Sequence, residues 1–287
     1  MRVLSIAVFA LSLMLVTVGS VISSSGSGLS IPDWPLALGS LIPDPLVAGI
    51  AWEFTHRVLS LITGLATLLL GGLLLTTADA LQRRLGTAMM AIILVQIVLG
   101  GLGVLQEFPW LLKVMHASLA YLFVGTAAAA VVLIGTGGVP ASDQVADPAA
   151  IRRTRAFASM VLLQLVAGAV VRHAETQAVM LGALVLHLLL AIGMAVTGMS
   201  IALRIGAALS GWRSAVAYAI GAGVMVQILL GITVFLSGPE PGAIGQQSLS
   251  YIWHAGLHMV VGALLLACST ALYLRLSRDQ RFRHSLA

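Results

Sequence analysis

Glu53-Phe54-Thr55-His56-Arg57 opens the second long apolar segment of the chain, and its setting decides the fold. An acid, an imidazole and a guanidinium stand together where hydrocarbon-compatible sequence begins. On a helix, Glu53 and His56 lie one turn apart on one face, with Arg57 beside them. Ionisable groups at a membrane helix are costly and by default mark a functional site. The bland alternative is an interfacial cluster that anchors a helix end.

The rest of the chain supplies the membrane. Its 287 residues are 59% hydrophobic and 9% charged, whereas a soluble domain carries roughly 25% charged residues. The mean hydropathy is +1.05. Apolar segments of bilayer-spanning length run at about 3–23, 55–78, 86–105, 111–134, 156–172, 178–203, 213–236 and 251–274. They predict an all-α polytopic membrane protein of eight transmembrane helices. The fifth segment is short and ends at Arg172-His173. The first, with Arg2 ahead of a long apolar core, reads as a retained helix rather than a signal peptide. The net charge of +5 comes from basic residues scattered at segment ends. That is a topology signal rather than a nucleic-acid patch. A lone cysteine, Cys268, excludes an intrachain disulfide and a thiolate metal cluster.

Eight spans put both termini on one side. With the termini inside, the inner side holds Arg2, Arg83, Arg84, Arg152, Arg153, Arg155, Arg204, Arg213, Arg275, Arg278, Arg281 and Arg283. The outer side holds Arg57, Lys113 and Arg172. This is a strong positive-inside bias. The longest outer loop, 24–52, contains Pro32-Asp33-Trp34-Pro35 and leads straight into Glu53; Trp34 and Trp52 suit the interface. A loop of that length is more often functional than idle. Residues 136–155 read as an inner linker between two four-helix halves, 1–135 and 156–287. Val95-Gln96-Ile97-Val98-Leu99-Gly100 recurs as Val226-Gln227-Ile228-Leu229-Leu230-Gly231. Four spans per half give both halves the same orientation. The expected architecture is therefore two pseudo-symmetric parallel four-helix bundles.

Histidines mark the even-numbered spans: His56, His116, His187 and His258, all in the outer half of the membrane, with His254 one turn from His258. His173 and His284 read as solvated. A lone membrane histidine is usually a satisfied polar group between helices, but two pairs repeated in two halves point to ligands. Imidazole is a common axial ligand of haem iron. Two imidazoles per half without cysteine are too few for a protein-only zinc site. Ser60 and Gly64 on the face of His56, Ala191 and Gly198 beside His187, and Gly262 beside His258 leave room for a flat ring, or serve helix packing. Arg57 and Arg172 are outer-side cations able to pair with haem propionates, or to cap helix ends. Of His254 and His258, the deeper His258 is favoured, with His254 as the alternative.

Gly26-Ser27-Gly28-Leu29-Ser30, Pro32-Asp33-Trp34-Pro35, the Glu53-Phe54-Thr55-His56-Arg57 motif and the Gln-x-x-x-Gly repeats together resemble the haem A synthase family, over nearly the whole chain. The resemblance implies an oxidoreductase that converts haem O to haem A, oxidising the C8 methyl to a formyl group by successive hydroxylations. It pairs His56 with His116 and His187 with His258 as iron ligands, and assigns an essential acid to Glu53. Many members carry a cysteine pair in each outer loop. Here Ile31 and Ala37 stand where the first pair would be, so a redox role for such a pair is absent.

The halves differ near the ligands. Glu53 precedes His56 and Arg57 follows it, whereas Leu184 and Leu188 flank His187. The expectation is haem O as substrate in the first half, with Glu53 handling protons, and a resident haem b in the second. The implied setting is a bacterial or archaeal plasma membrane with both termini cytoplasmic. The implied partners are membrane lipid and haem O synthase or the terminal-oxidase assembly. The electron donor and homo-oligomerisation stay open. Alternative readings are a di-haem b-type cytochrome passing electrons from quinol, and a non-haem proton-coupled transporter.

Overall fold

The computed structural model describes residues 1–135, 147–238 and 247–284, with side-chain surroundings up to residue 280. The described chain is all-helical. Its helices are α1 (Arg2–Ser25), α2 (Ala48–Leu75), α3 (Ala80–Leu105), α4 (Trp110–Gly135), α5 (Pro148–His173), α6 (Gln177–Ser200), α7 (Gly211–Leu236) and α8 (Leu249–His284). A π-helical stretch, Ile201–Gly206, continues α6. All eight are long and apolar enough to cross a membrane, so the protein is a multi-pass membrane protein of the expected class.

The helices outrun the apolar windows that predicted them, because the windows see only the hydrocarbon-compatible part. Asp147 caps α5 by accepting from the Ala149 N–H, and Pro148 occupies the first turn, where a missing N–H costs nothing. Helix therefore begins at 148, inside the expected linker, and the short fifth span is a full-length helix with Arg152, Arg153 and Arg155 in its first turns. The rest of that linker, 136–146, lies outside the described residues. So do the side chains of Arg281, Arg283 and His284. At the end away from the N-terminus, the side expected to be outer, α1 ends on Gly26, which has φ 73° and whose N–H bonds back to Ile22 O. Helix α2 begins at Ala48, which narrows the outer loop to 26–47 and puts Glu53 in the second turn rather than at the helix start.

Each half packs as a ring. Helix α1 touches α2, α2 touches α3, α3 touches α4 and α4 returns to α1; α5, α6, α7 and α8 do the same. Among the described residues α2 does not pack on α4, nor α6 on α8. The two histidine-bearing helices of each half thus sit diagonally across a bundle. The halves meet through α1, α4, α5 and α8, around a core that includes Phe157, Val124, Ile220 and Leu272. Lipid is as apolar as leucine, so close packing and polar contacts hold such a core together more than hydrophobic transfer does. At the opposite end of the bundle from the histidines Asp279, almost fully buried, pairs with Arg213 and Arg275, each at 3.2 Å. Arg278 reaches across to Asp79 and to the Leu133 carbonyl, tying α8 to the first half.

Candidate functional site: two histidine pairs under an outer loop

His56, His116, His187 and His258 all lie within about three turns of the N-terminal ends of their helices, at the same end of the molecule. Each seats its imidazole on a glycine of the preceding helix. A Cβ on Gly19 of α1 would lie 3.4 Å from His56 Cε1, and one on Gly100 of α3 would lie 3.6 Å from His116 Cε1. The corresponding distances are 3.1 Å from Gly168 of α5 to His187 and 3.2 Å from Gly231 of α7 to His258. At Gly19, Gly168 and Gly231 it is the Nδ1–Cε1 edge that faces the glycine, which turns Nε2 away from the seat.

The repeated motif finds its physical meaning here. Gln96 Nε2 donates to the backbone carbonyl of His116 at 3.0 Å, and Gln227 Nε2 donates to that of His258 at 3.0 Å. Glycine one turn further along then receives the ring. Gln164 and Gly168 of α5 share this spacing, a third copy that the sequence reading passed over. There the Gln164 carbonyl meets His187 Nδ1 at 3.2 Å. A carbonyl can only accept, so Nδ1 carries the proton and Nε2 keeps its lone pair free for a metal. The Nδ1 atoms of His56, His116 and His258 are buried without a partner.

The second pair meets directly. The rings of His187 and His258 are 6.3 Å apart, centre to centre, at 51°. Two imidazoles sharing one metal through bonds of about 2 Å place their ring centres roughly 6 Å apart, so the spacing of this pair suits two imidazoles on one metal. The Gln227 amide lies 3.3 Å from His258 Nε2; a metal at that nitrogen would displace it and leave Gln227 its carbonyl bond. His254 is not part of the pair: its Nδ1 faces Ser250 Oγ at the surface. His56 and His116 are within electrostatic range of each other but make no ring contact, and the rings of Phe108 and His116 lie 6.2 Å apart, centre to centre, at 74°. No three potential ligands among His, Cys, Asp and Glu gather among the described residues.

Two of the small residues expected to make room for a ring, Gly198 and Gly262, are occupied, whereas a Cβ at Gly64 would meet only Ile97 at 3.9 Å. Gly198 is filled by Phe157 and Val224, and Gly262 by Leu165 and Gln227. Ser60 donates to the His56 carbonyl. Gly198 and Gly262 are packing positions; the open seats lie on the neighbouring helices.

Glu53 and Arg57 form a clasp on the outer loop. The Glu53 carboxylate, 5% exposed, accepts from the Ile31 N–H at 3.0 Å and from Arg57 Nη2 at 2.7 Å. Arg57 also donates to the carbonyls of Ile31, Asp33 and Leu36. Three of its hydrogen bonds are thus directed to the loop and one to Glu53. Asp33 accepts from the N–H groups of Leu38 and Gly39 at 2.7 and 2.8 Å, both in left-handed conformation. These bonds hold its carboxyl below the ordinary value of 3.8, Gly39 contributing most. The indole of Trp34 lies on Gly101, next to the glycine that seats His116, where a Cβ would approach it to 3.0 Å. The loop is thus fastened to α2 one turn from His56 and rests on α3 beside the glycine that seats His116.

Arg172, at the end of α5, donates to the hydroxyls of Ser23 and Ser24 on α1. No carboxylate lies within ion-pair distance of it among the described residues. With His173, Gln247 and Tyr251 it lines a polar recess of about 140 Å³. His173 is half-buried there rather than solvated.

A comparison with models of known protein families gave no match to this chain, and a comparison with curated proteins gave none either.

Proposed function

We propose that this protein is an oxidoreductase of the haem A synthase type, oxidising the C8 methyl group of haem O to a formyl group. The observation that carries this reading is the His187–His258 pair: two imidazoles from diagonally opposite helices, 6.3 Å apart, each backed by a glycine. In this reading they hold a resident haem b, and His56 with His116 receives haem O. Each of two hydroxylations replaces a C–H of the methyl carbon by C–OH and needs an oxygen atom and a two-electron oxidant from outside the chain; the geminal diol so formed loses water to become the formyl group. A bound haem would supply the iron redox chemistry for those steps.

The chain's own residues bind, cover and handle protons. The Glu53–Arg57 clasp holds the loop over the first pair, and Trp34 keeps water from it. Glu53, one turn from His56, also takes up or relays protons lost from the substrate carbon. Electron transfer across the membrane would need one haem near each surface, and the common level of all four histidines speaks against that alternative. The bias of basic residues supports termini on the inner side of a bacterial or archaeal plasma membrane, with the histidines near the outer surface. The direct test is chromatography of pigments from cells that make haem O, with and without this protein. Haem A only where the protein is present supports the reading; an unchanged haem O pool contradicts it.

A further inference from the structure

Helix α2 has 28 residues and is therefore about 42 Å long, while the hydrocarbon core of a bilayer is about 30 Å thick. At its inner end apolar sequence runs to Leu75, followed by Thr76, Thr77 and Asp79. Counting roughly 20 spanning residues back from Leu75 sets the outer hydrocarbon boundary close to His56 and Arg57. The first two turns of α2 then stand in the headgroup layer. Arg57 holds the carbonyls of Ile31, Asp33 and Leu36, so the outer loop is folded back along those turns, inside the same layer.

Most of the large side chains this loop turns outward are apolar. Leu41 is 84% exposed, Ile42 67%, Leu46 55% and Val47 55%, with exposed Asp44 between the two pairs. Beyond Asp44 they lead to exposed Trp52 and then to the lipid-facing stripe of α2 at Leu61, Leu65 and Leu69. Between residues 24 and 52 there is no lysine or arginine, and the only acids are Asp33 and Asp44. Asp33 is engaged by Leu38 and Gly39. Asp44 is exposed and is the one charge of the edge, a group that the headgroup layer can solvate. An exposed, mainly apolar edge with a single charge, next to the transmembrane surface, matches the lipid interface better than a charged protein partner.

We infer that residues 41–47 are a membrane-seated edge of the outer loop, inserted into the outer-leaflet interface beside α2. The inference does not depend on what the histidines bind. The lone cysteine, Cys268, makes it directly testable. In a Cys268→Ser background, Leu41→Cys and, separately, Leu46→Cys are labelled with bimane and the full chain is placed in phosphatidylcholine–phosphatidylglycerol vesicles; Leu65→Cys serves as the lipid-facing reference. Quenching by a lipid carrying a nitroxide high on its acyl chain should exceed quenching by aqueous iodide roughly twofold or more. Stronger quenching by iodide overturns the inference and puts the loop in water. Resistance to both quenchers also overturns it, in favour of cover by protein, whether a second copy or another subunit.

Discussion

The two histidine pairs are built from the same parts and finished differently. In the second half the seats are tight, at 3.1 and 3.2 Å. The rings meet, and His187 is fixed by a backbone carbonyl. In the first half the seats are looser, at 3.4 and 3.6 Å. The rings do not meet, and a loop held by a clasp of side chains rests beside them. A tightly seated pair suits a group that stays; a wider pair beside a loop suits one that enters, reacts and leaves. Under the proposed function this difference separates a cofactor site from a substrate site.

The comparison breaks first if its tight half is not a ligand pair. His187→Ala or His258→Ala is expected to remove most of the bound haem b, while His254→Ala keeps it, read from the pigment content of purified protein. Full retention in His258→Ala with loss in His254→Ala would move the ligand by one turn.

The next largest effect concerns Glu53. Glu53→Gln keeps an acceptor for the Ile31 N–H but loses the carboxylate that faces Arg57. If Glu53 transfers protons, haem A production falls on the order of 100-fold or more, with haem b intact, and by more than in Trp34→Ala. If it only holds the loop, the two variants fall together. Chromatography of haem O, haem A and any alcohol intermediate separates these outcomes. Trp34→Ala itself should lower haem A yield more than haem b content; equal loss of both would make the loop a folding element rather than a cover for one site.

The seats give a smaller and sharper contrast. Gly168→Ala and Gly231→Ala press a methyl group onto an imidazole already in close contact, an overpacking cost of about 1–3 kcal/mol. They should broaden or shift the low-spin spectrum. Gly19→Ala and Gly100→Ala meet ordinary van der Waals distances and should leave it unchanged. Equal effects in all four would remove the distinction between halves.

Acid gives the smallest effect. The Asp33 carboxyl is held below its ordinary value of 3.8 by the folded loop. Its contribution is therefore present above that value and lost as the pH falls through the lower folded value. Limited proteolysis of the outer loop should be unchanged at neutral pH and down to about 4, and should accelerate below it. Asp33→Asn should weaken the turn at every pH and remove that acid step.

Composition and apolar run length made the eight helices legible, because a membrane span leaves a long unbroken signal. Helix ends outside the hydrocarbon were less so: the polar and basic start of α5, capped by Asp147, carries no hydropathy signal. The histidines were legible through their one-per-even-helix spacing, and His258 is the one that meets His187. Their seats were not, because the reading looked along each histidine's own helix, at Gly198 and Gly262, which neighbouring side chains fill. Contact across a bundle is a property of two helices, and the Gln-x-x-x-Gly spacing that marks three of the four seats also occurs at Gln82–Gly86, where Leu74 and Gly71 pack instead of a histidine. The clasp was half visible. Glu53 and Arg57 are a helical i, i+4 pair, but the loop carbonyls that Arg57 gathers come from more than 20 residues upstream, and no local pattern predicts that.

The most direct test of the central claim is the absorption spectrum of the protein purified from haem-replete cells, with the pigment identified after extraction. The account predicts a six-coordinate, low-spin b-type haem spectrum that is lost in His187→Ala. Colourless protein under those conditions would contradict it.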